Sequence, residues 1–178
     1  MAQIVFLIGP RGSGKTSIGR RLAEALPLPF LDMDDCIVKH AGKSIADIVL
    51  EDGWERFREH ENKVLRSLSG TLREGGVVAT GGGVVMAPEN RAYLRENGTV
   101  LFLDVPVGIL CERLQRPGGN HERPSLLGHT TGAEEEIRRI CSERETFYRQ
   151  TAHYQIHAGK PARVVVREIL ALLRRSGT

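Results

Sequence analysis

Short apolar segments alternate with longer amphipathic segments along most of the chain. Residues 3–8 form a nearly continuous apolar run with β-branched members, and after a glycine-rich stretch apolar residues recur at helical spacing up to Pro27. A short apolar run of this kind predicts a strand buried on both faces. The helical spacing that ends at a proline predicts a helix over residues 16–26. The chain therefore opens with a strand, a glycine loop and a helix.

The same alternation continues to the end of the chain. Further strands are predicted at 29–31, 76–79, 99–103 and 154–157, and further helices at 34–40, from Ser44 onward, and at 54–72, 88–96, 106–114, 132–150 and 162–175. Strands that alternate with helices join through right-handed crossovers into a parallel sheet with helices on both faces. Because ligands of such sheets bind beyond the carboxyl ends of the strands, we expect the polar residues that follow the strands to gather at one edge.

Composition and charge set broader limits. A length of 178 residues suits one compact domain over 1–178. The net charge of +3 is too small to indicate a nucleic-acid partner. No apolar run reaches the ~18 residues that a membrane span requires. The three cysteines form no C-x-x-C pair, so a reducing cytoplasm is favoured over a disulfide framework.

Residues 9–16 (GPRGSGKT) match the phosphate-binding pattern G-x-x-x-x-G-K-[ST]. The glycines allow successive backbone N–H groups to turn toward a phosphate, and the helix that follows adds its positive end. Lys15 can reach the β- and γ-phosphates of a nucleotide, and the Thr16 hydroxyl can ligate Mg²⁺. The predicted nucleotide contacts are Gly12, Ser13, Gly14, Lys15, Thr16 and Ser17.

Asp32 and Asp34 follow the second predicted strand. Alternate residues of an extended segment point the same way, so both carboxylates can face one ligand. One can serve Mg²⁺, which needs few carboxylates, and the other can accept or orient a hydroxyl proton. The alternatives are two solvated loop acids or a helix N-cap at Asp34, and the preceding phosphate loop favours the ligand interpretation.

Weaker signals come from residues 80–83, Arg58, Arg144 and Arg123. The TGGG sequence of residues 80–83 can bring bare N–H groups close to a ligand or form a plain turn. Arg58 and Arg144 lie on predicted helices, where an arginine is usually a surface residue, although its guanidinium suits a carboxylate. Arg123 lies in residues 116–131, a segment rich in glycine and proline that we predict to be a mobile lid.

In their order and spacing these motifs resemble the shikimate kinase family from about residue 4 to residue 173. The matching segments are residues 9–16, 32–34, 53–58, 79–83, 123–124 and 143–148. The resemblance implies a three-layer α/β/α P-loop kinase fold with a central, mostly five-stranded parallel sheet and a mobile lid at about 116–131. It also implies a substrate-binding region at about 34–72 and transfer of the γ-phosphate of ATP to the 3-hydroxyl of shikimate, a step in aromatic amino-acid biosynthesis.

The resemblance implies a role for each site residue. Lys15, Asp34 and Arg123 would be catalytic: Lys15 contacts the β- and γ-phosphates, Asp34 binds the acceptor hydroxyls as base or orienting group, and Arg123 meets ATP from the lid. Thr16 and Asp32 would hold Mg²⁺. Arg58 and Arg144 would hold the shikimate carboxylate, with Gly82 donating from its backbone, and Lys160 would contact the nucleotide.

Two alternatives stay open. The first is another small-molecule kinase of the same fold, such as a gluconate or nucleotide kinase, although a neutral sugar would not require paired arginines. The second is a nucleotide-dependent switch without transfer activity, against which the intact Lys15, Thr16, Asp32 and Asp34 argue. We expect ATP and shikimate as ligands, no nucleic-acid or membrane partner, and a monomer.

Overall fold

The computed structural model describes residues 4–115 and 132–175. Its strands are β1 (Ile4–Ile8), β2 (Phe30–Asp32), β3 (Gly76–Ala79), β4 (Gly98–Asp104) and β5 (Tyr154–His157). Its α-helices are α1 (Lys15–Ala25), α2 (Met33–Ala41), α3 (Ile45–Thr71), α4 (Pro88–Asn97), α5 (Val107–Gln115), α6 (Ala133–Thr151) and α7 (Ala162–Arg175). Every predicted strand and helix is therefore confirmed to within one or two residues. The predicted lid at 116–131, with Arg123, lies outside the described residues.

The sheet has the strand order β2-β3-β1-β4-β5, and all of its strand pairs are parallel. β1 is the central strand, with Val5 opposite Val77 on one side and Thr99 on the other. Parallel strands present their carboxyl ends at one edge. The glycine loop after β1, Asp32 at the end of β2 and the glycine triplet after β3 therefore meet there, as predicted.

Two hydrophobic clusters cover the two faces of the sheet. The first contains Ile4, Phe6 and Ile8 of β1 and packs on α2, α3, α4 and α6. The second contains Val5 and Leu7 and packs on α1, α5 and α7. Side chains alternate between the faces of a strand, so an apolar run is what a strand between two helical layers requires. The predicted three-layer α/β/α architecture is confirmed.

Helix α3 consists of two helical segments that meet at Gly53. Gly53 has φ 81° and ψ 172°, a conformation that interrupts the helix and that favours glycine. The first segment begins at Ser44, whose side chain accepts a hydrogen bond from the Asp47 amide at 3.1 Å. The sequence predicted two helices here, and the break at Gly53 sets the direction of the segment that carries Arg58.

A short 3₁₀ turn at Val84–Met86 was not predicted from the sequence. Three residues are too few to show an apolar period, so the sequence gives no signal that distinguishes this turn from an irregular loop.

None of the helices within residues 4–115 and 132–175 combines the length and apolarity that crossing a membrane requires.

The His153 side chain holds the junction between β4 and β5. Its Nδ1 accepts a hydrogen bond from the Val100 amide at 3.0 Å, while its own amide donates to the Val100 carbonyl at 2.8 Å. Burial, helped by the nearby Arg95 charge, lowers the pKa of His153. The folded protein therefore favours the neutral ring that this contact needs.

We predict that the free energy of unfolding falls as the pH is lowered. Because folding lowers the pKa of His153, the contribution of this residue to the free energy of unfolding is fully present above about pH 6.5, the ordinary pKa of histidine. That contribution is lost as the pH falls toward the pKa of His153 in the folded protein. Burial lowers the pKa of His60 as well, which acts in the same direction.

Urea denaturation between pH 7.5 and 5 measures this effect. His153→Asn keeps an acceptor that does not titrate, and it should lose less stability on acidification than the wild type does. His157→Asn is the control, because the His157 side chain is 79% exposed. An unchanged pH dependence in His153→Asn would contradict the prediction.

Candidate active site

The phosphate loop between β1 and α1 is closed by its own lysine. The Lys15 ammonium donates to the carbonyls of Gly9 at 2.9 Å and Pro10 at 2.8 Å and to the Ser13 hydroxyl at 3.4 Å. Gly14 precedes α1 with φ 94°, in the left-handed region where a side chain would be strained. The loop is thus shaped as the motif predicts, with a positive charge at its centre.

Arg113 supports the same loop from α5. Its Nη1 donates to the carbonyls of Gly12 at 3.2 Å and Ser13 at 3.4 Å, and its Nη2 donates to the Ala158 carbonyl at 3.1 Å. The guanidinium therefore ties the phosphate loop to the segment that follows β5. Sequence reasoning missed this residue, because an arginine in an amphipathic helix gives no signal of such a distant contact.

Asp32 connects the end of β2 to both α1 and α2. Its Oδ2 accepts from the Thr16 hydroxyl at 2.7 Å, and its Oδ1 accepts from the Asp34 amide at 3.0 Å. Asp32, rather than Asp34, is thus the N-cap of α2. The predicted extended pair is wrong in this detail, because the chain turns into α2 at Met33. Both carboxylates nevertheless line one cleft.

The Thr16–Asp32 pair fits Mg²⁺. A hydroxyl and a carboxylate lie side by side at the loop, and both are hard oxygen ligands of the kind that Mg²⁺ prefers. No group of three His, Cys, Asp or Glu within the described residues is arranged to hold a metal ion. Such a group is not needed, since Mg²⁺ usually binds one or two protein oxygens together with water and substrate phosphates.

One cleft of about 420 Å³ brings most of the predicted site together. It is lined by Arg11, Gly12, Gly14, Lys15, Thr16, Ser17, Ile18, Asp32, Asp34, Thr80, Gly82, Arg113, Leu114, Lys160 and Ala162. Ser13, a member of the loop, is fully buried and is not among the lining residues. Lys160 lines the cleft, but its ammonium donates to Glu168 at 2.6 Å, so its charge is directed toward α7.

Asp104 lies at the same sheet edge, at the end of β4. Gln155 donates to its Oδ2 at 2.7 Å, and the Nδ1 of His157 lies 3.9 Å from that oxygen. These contacts engage its carboxylate between β4 and β5. Asp32 is the better candidate for a metal ligand, because its carboxylate lies beside the Thr16 hydroxyl of the phosphate loop.

The Arg58 guanidinium is held by a buried carboxylate. Its Nη1 donates to Glu61 Oε2 at 2.6 Å, and Glu61 has no exposed side-chain surface, whereas Arg58 is 30% exposed. The guanidinium also lies over the Phe57 ring, 5.2 Å from its centroid. The role of Glu61 was not predicted from the sequence, although an acid three residues after an arginine on a helix is a recognisable pairing signal.

Gly83 leaves the space that Arg58 occupies. A Cβ atom at this position would lie 2.2 Å from Arg58 Nη2 and 2.5 Å from Cζ. The backbone of Gly83 (φ −105°, ψ 2°) is one that other residues adopt, so a larger residue here would act sterically, by displacing the Arg58 guanidinium. The glycine triplet therefore provides the surface against which Arg58 packs.

Arg144 reaches the neighbouring glycine from α6. Its Nη1 donates to the Gly82 carbonyl at 3.1 Å, and the hydroxyl of Tyr148, one turn further along α6, donates to the same oxygen at 2.5 Å. Burial raises the pKa of Tyr148, against the lowering effect of the Arg144 charge, so the hydroxyl stays protonated. Arg58 and Arg144, 86 residues apart in the sequence, thus meet at adjacent glycines.

The loop, the oxygen pair beside it and the cleft beyond the strand ends define a P-loop phosphotransferase. A family model described as "SKI: Shikimate kinase" matches residues 11–174. The chain belongs to the shikimate kinase family, as the motifs implied.

Individual relatives agree with this assignment. The chain is 44% identical over 173 residues to a shikimate kinase of Oleidesulfovibrio alaskensis, covering 97% of this chain and 98% of the relative. It is 40% identical over 174 residues to shikimate kinase 2 of Enterobacter sp. strain 638, covering 98% and 97%. A solved shikimate kinase from Acinetobacter baumannii in complex with shikimate superposes with a TM-score of 0.90 at 34% identity, covering 99% of this chain and 95% of the other.

We predict that Lys15→Ala weakens ATP binding at least tenfold and nearly abolishes turnover. The substitution removes the contacts that hold the loop closed and the charge that we expect to face the phosphates. Titration with a fluorescent ATP analogue measures the first effect, and ADP release measures the second. Lys63→Ala, an exposed lysine on α3, serves as the control. ATP affinity within twofold of the wild type in Lys15→Ala would contradict this role.

Proposed function

We propose that this chain transfers the γ-phosphate of ATP to the 3-hydroxyl of shikimate, giving shikimate 3-phosphate and ADP. The observation that carries the proposal is the meeting of Arg58 and Arg144 at Gly83 and Gly82, because Gly82 lines the same cleft as Lys15. Two guanidinium groups beside a phosphate loop suit an acceptor that carries a carboxylate as well as a hydroxyl.

Asp34 is the residue we assign to the acceptor hydroxyl. It is half-buried and lines the same cleft as Lys15 and Gly82. In the transfer, the bond between the γ-phosphorus and its bridging oxygen breaks, and a bond from the acceptor oxygen to that phosphorus forms. The hydroxyl proton passes to Asp34 or to water, and Asp34 orients the hydroxyl in either case.

Alignment and charge neutralisation provide most of the catalysis of phosphoryl transfer. Lys15 supplies positive charge to the β- and γ-phosphates. Thr16 and Asp32 would hold Mg²⁺, which neutralises phosphate charge when it is bound. Arg123 lies outside the described residues, and its role on ATP stays a prediction, as does that of Lys160.

Arg58 and Arg144 supply most of the affinity for the acceptor in this proposal. A charge-assisted hydrogen bond is worth about 1.5–3 kcal/mol. Loss of one guanidinium should therefore weaken acceptor binding by roughly one to two decades.

We also propose that the chain forms a single domain and acts as a monomer in the cytoplasm. The free thiols of Cys36, Cys111 and Cys141 support a reducing compartment.

A coupled ADP-release assay with Mg²⁺ and ATP tests the proposal. We expect rapid ADP release with shikimate and at most slow release with gluconate, with a nucleoside monophosphate or without an acceptor. Phosphorus NMR of the product should show one new phosphate ester. Equal release without any acceptor would indicate an ATPase, and faster release with another acceptor would indicate a different kinase.

We predict that Gly83→Ala raises the KM for shikimate about tenfold or more while leaving the KM for ATP within twofold. The new methyl group would displace the Arg58 guanidinium, and the phosphate loop would stay intact. Steady-state kinetics at varied concentrations of each substrate measure both constants. Gly70→Ala is the matched control, because a Cβ there meets nothing within 4 Å. An unchanged shikimate KM in Gly83→Ala would refute the role of Arg58.

A further inference from the structure

The buried Tyr148 side chain carries a hydroxyl to which the proposed mechanism gives no role. The side chain is 1% exposed, and its ring stacks on Phe102 with centroids 5.1 Å apart and planes 16° from parallel. Its hydroxyl donates to the Gly82 carbonyl at 2.5 Å. The ring alone would fill this part of the core, so the hydroxyl has a separate task.

The Gly82 carbonyl receives both of its donors from α6. Tyr148 and Arg144 lie one helical turn apart, and each donates one hydrogen bond to the same oxygen. A carbonyl oxygen has two lone pairs, so this oxygen is saturated and its direction is fixed. Because the peptide unit is planar, fixing the oxygen also fixes the amide of Gly83.

The fixed peptide connects the two arginines. Arg144 donates to its oxygen, and the Arg58 guanidinium packs against Gly83, where it occupies the space of a Cβ atom. A tilt of this peptide would therefore move Arg144 and the surface beneath Arg58 together. The distance between the two guanidinium groups depends on it.

We propose that Tyr148 is a positioning residue for the acceptor side of the site. Its hydroxyl fixes the position of the Gly82 carbonyl relative to α6. This keeps the guanidinium groups of Arg144 and Arg58 at the separation that binding of the acceptor carboxylate requires. This inference rests on the proposed function, since it concerns the same acceptor.

Other contacts hold the surrounding elements in place without the hydroxyl. Arg95 Nη1 donates to the carbonyls at the end of α6, those of residues 150–152, at 3.1–3.2 Å. Arg91 Nη1 donates to the Val85 carbonyl at 2.7 Å and lies over the Phe147 ring at 4.6 Å. Removing the Tyr148 hydroxyl should therefore leave α6 and the 3₁₀ turn in place and loosen mainly Gly82.

Tyr148→Phe tests the inference, with Tyr93→Phe as the matched control. Tyr93 is also buried in the same hydrophobic cluster, and its hydroxyl also faces a backbone carbonyl, that of Arg66 at 3.5 Å, away from the cleft. Shikimate binding without nucleotide can be followed through Trp54, the single tryptophan, whose ring lies 5.9 Å from the Arg58 guanidinium. This readout does not require turnover.

We expect Tyr148→Phe to weaken shikimate binding and raise the shikimate KM roughly fivefold or more, as loss of one net hydrogen bond predicts. The KM for ATP and the kcat should stay within twofold, and Tyr93→Phe should leave shikimate binding, both KM values and the kcat unchanged. Shikimate affinity unchanged in Tyr148→Phe, or weakened equally in Tyr93→Phe, would overturn the inference. So would a parallel rise in both KM values.

The wild type, measured in parallel, separates this inference from the proposed function. Wild-type turnover of shikimate with an unaffected Tyr148→Phe overturns the positioning role alone, whereas a wild type inactive on shikimate overturns both. If circular dichroism shows Tyr148→Phe to be unfolded, 4-aminophenylalanine at position 148 carries the test. It keeps a donor, so shikimate binding should stay within twofold of wild type, and a loss of fivefold or more would contradict the role.

Discussion

The pairing of β3 with β1 is the constraint on which the site depends. It places the glycine triplet directly against the phosphate loop, so that a Cβ on Gly82 would lie 3.4 Å from the Arg11 amide nitrogen and 3.5 Å from the Gly9 carbonyl oxygen. The phosphate loop and the backbone that contacts the two arginines thus lie so close that a single methyl group would fill the space between them. Transfer between two ligands needs reacting atoms about 3–3.5 Å apart, and the proximity of the two segments makes so short a separation possible.

The cations of the site are held in two different ways. Lys15 folds onto carbonyls of its own loop, all within six residues, and its geometry follows from local sequence. Arg58 is held by the buried Glu61 carboxylate, and Arg144 is held by the half-buried Gly82 carbonyl. A buried carboxylate beside a partly exposed guanidinium lowers the cost of keeping that charge in one place, and it keeps the arginine oriented before any ligand arrives.

This difference explains which parts of the site could be predicted from the sequence. The apolar runs and helical spacings predicted every strand and α-helix of the described residues, and the sequence of residues 9–16 predicted the shape of the phosphate loop, because these patterns are local. Gly82 and Tyr148 lie 66 residues apart, and Arg113 lies about 100 residues from the carbonyls it contacts. Only the folded sheet brings such residues together, so the sequence could name Arg58 and Arg144 through family resemblance. It gave no role to Glu61, Arg113 or the Tyr148 hydroxyl, and it did not predict the contact between Gly83 and Arg58.

The acceptor side therefore depends on uncharged groups as much as on charged ones. A guanidinium fixes a carboxylate well only if its own position is set to within a fraction of an ångström, since both hydrogen bonds of a bidentate pair must form together. Gly83 sets the position of Arg58 by the side chain it lacks, and the Gly82 carbonyl sets that of Arg144 by accepting its hydrogen bond. Both constraints act through one peptide unit. Affinity for the acceptor should accordingly respond to small changes at residues 82, 83 and 148 that leave every charge of the site unaltered.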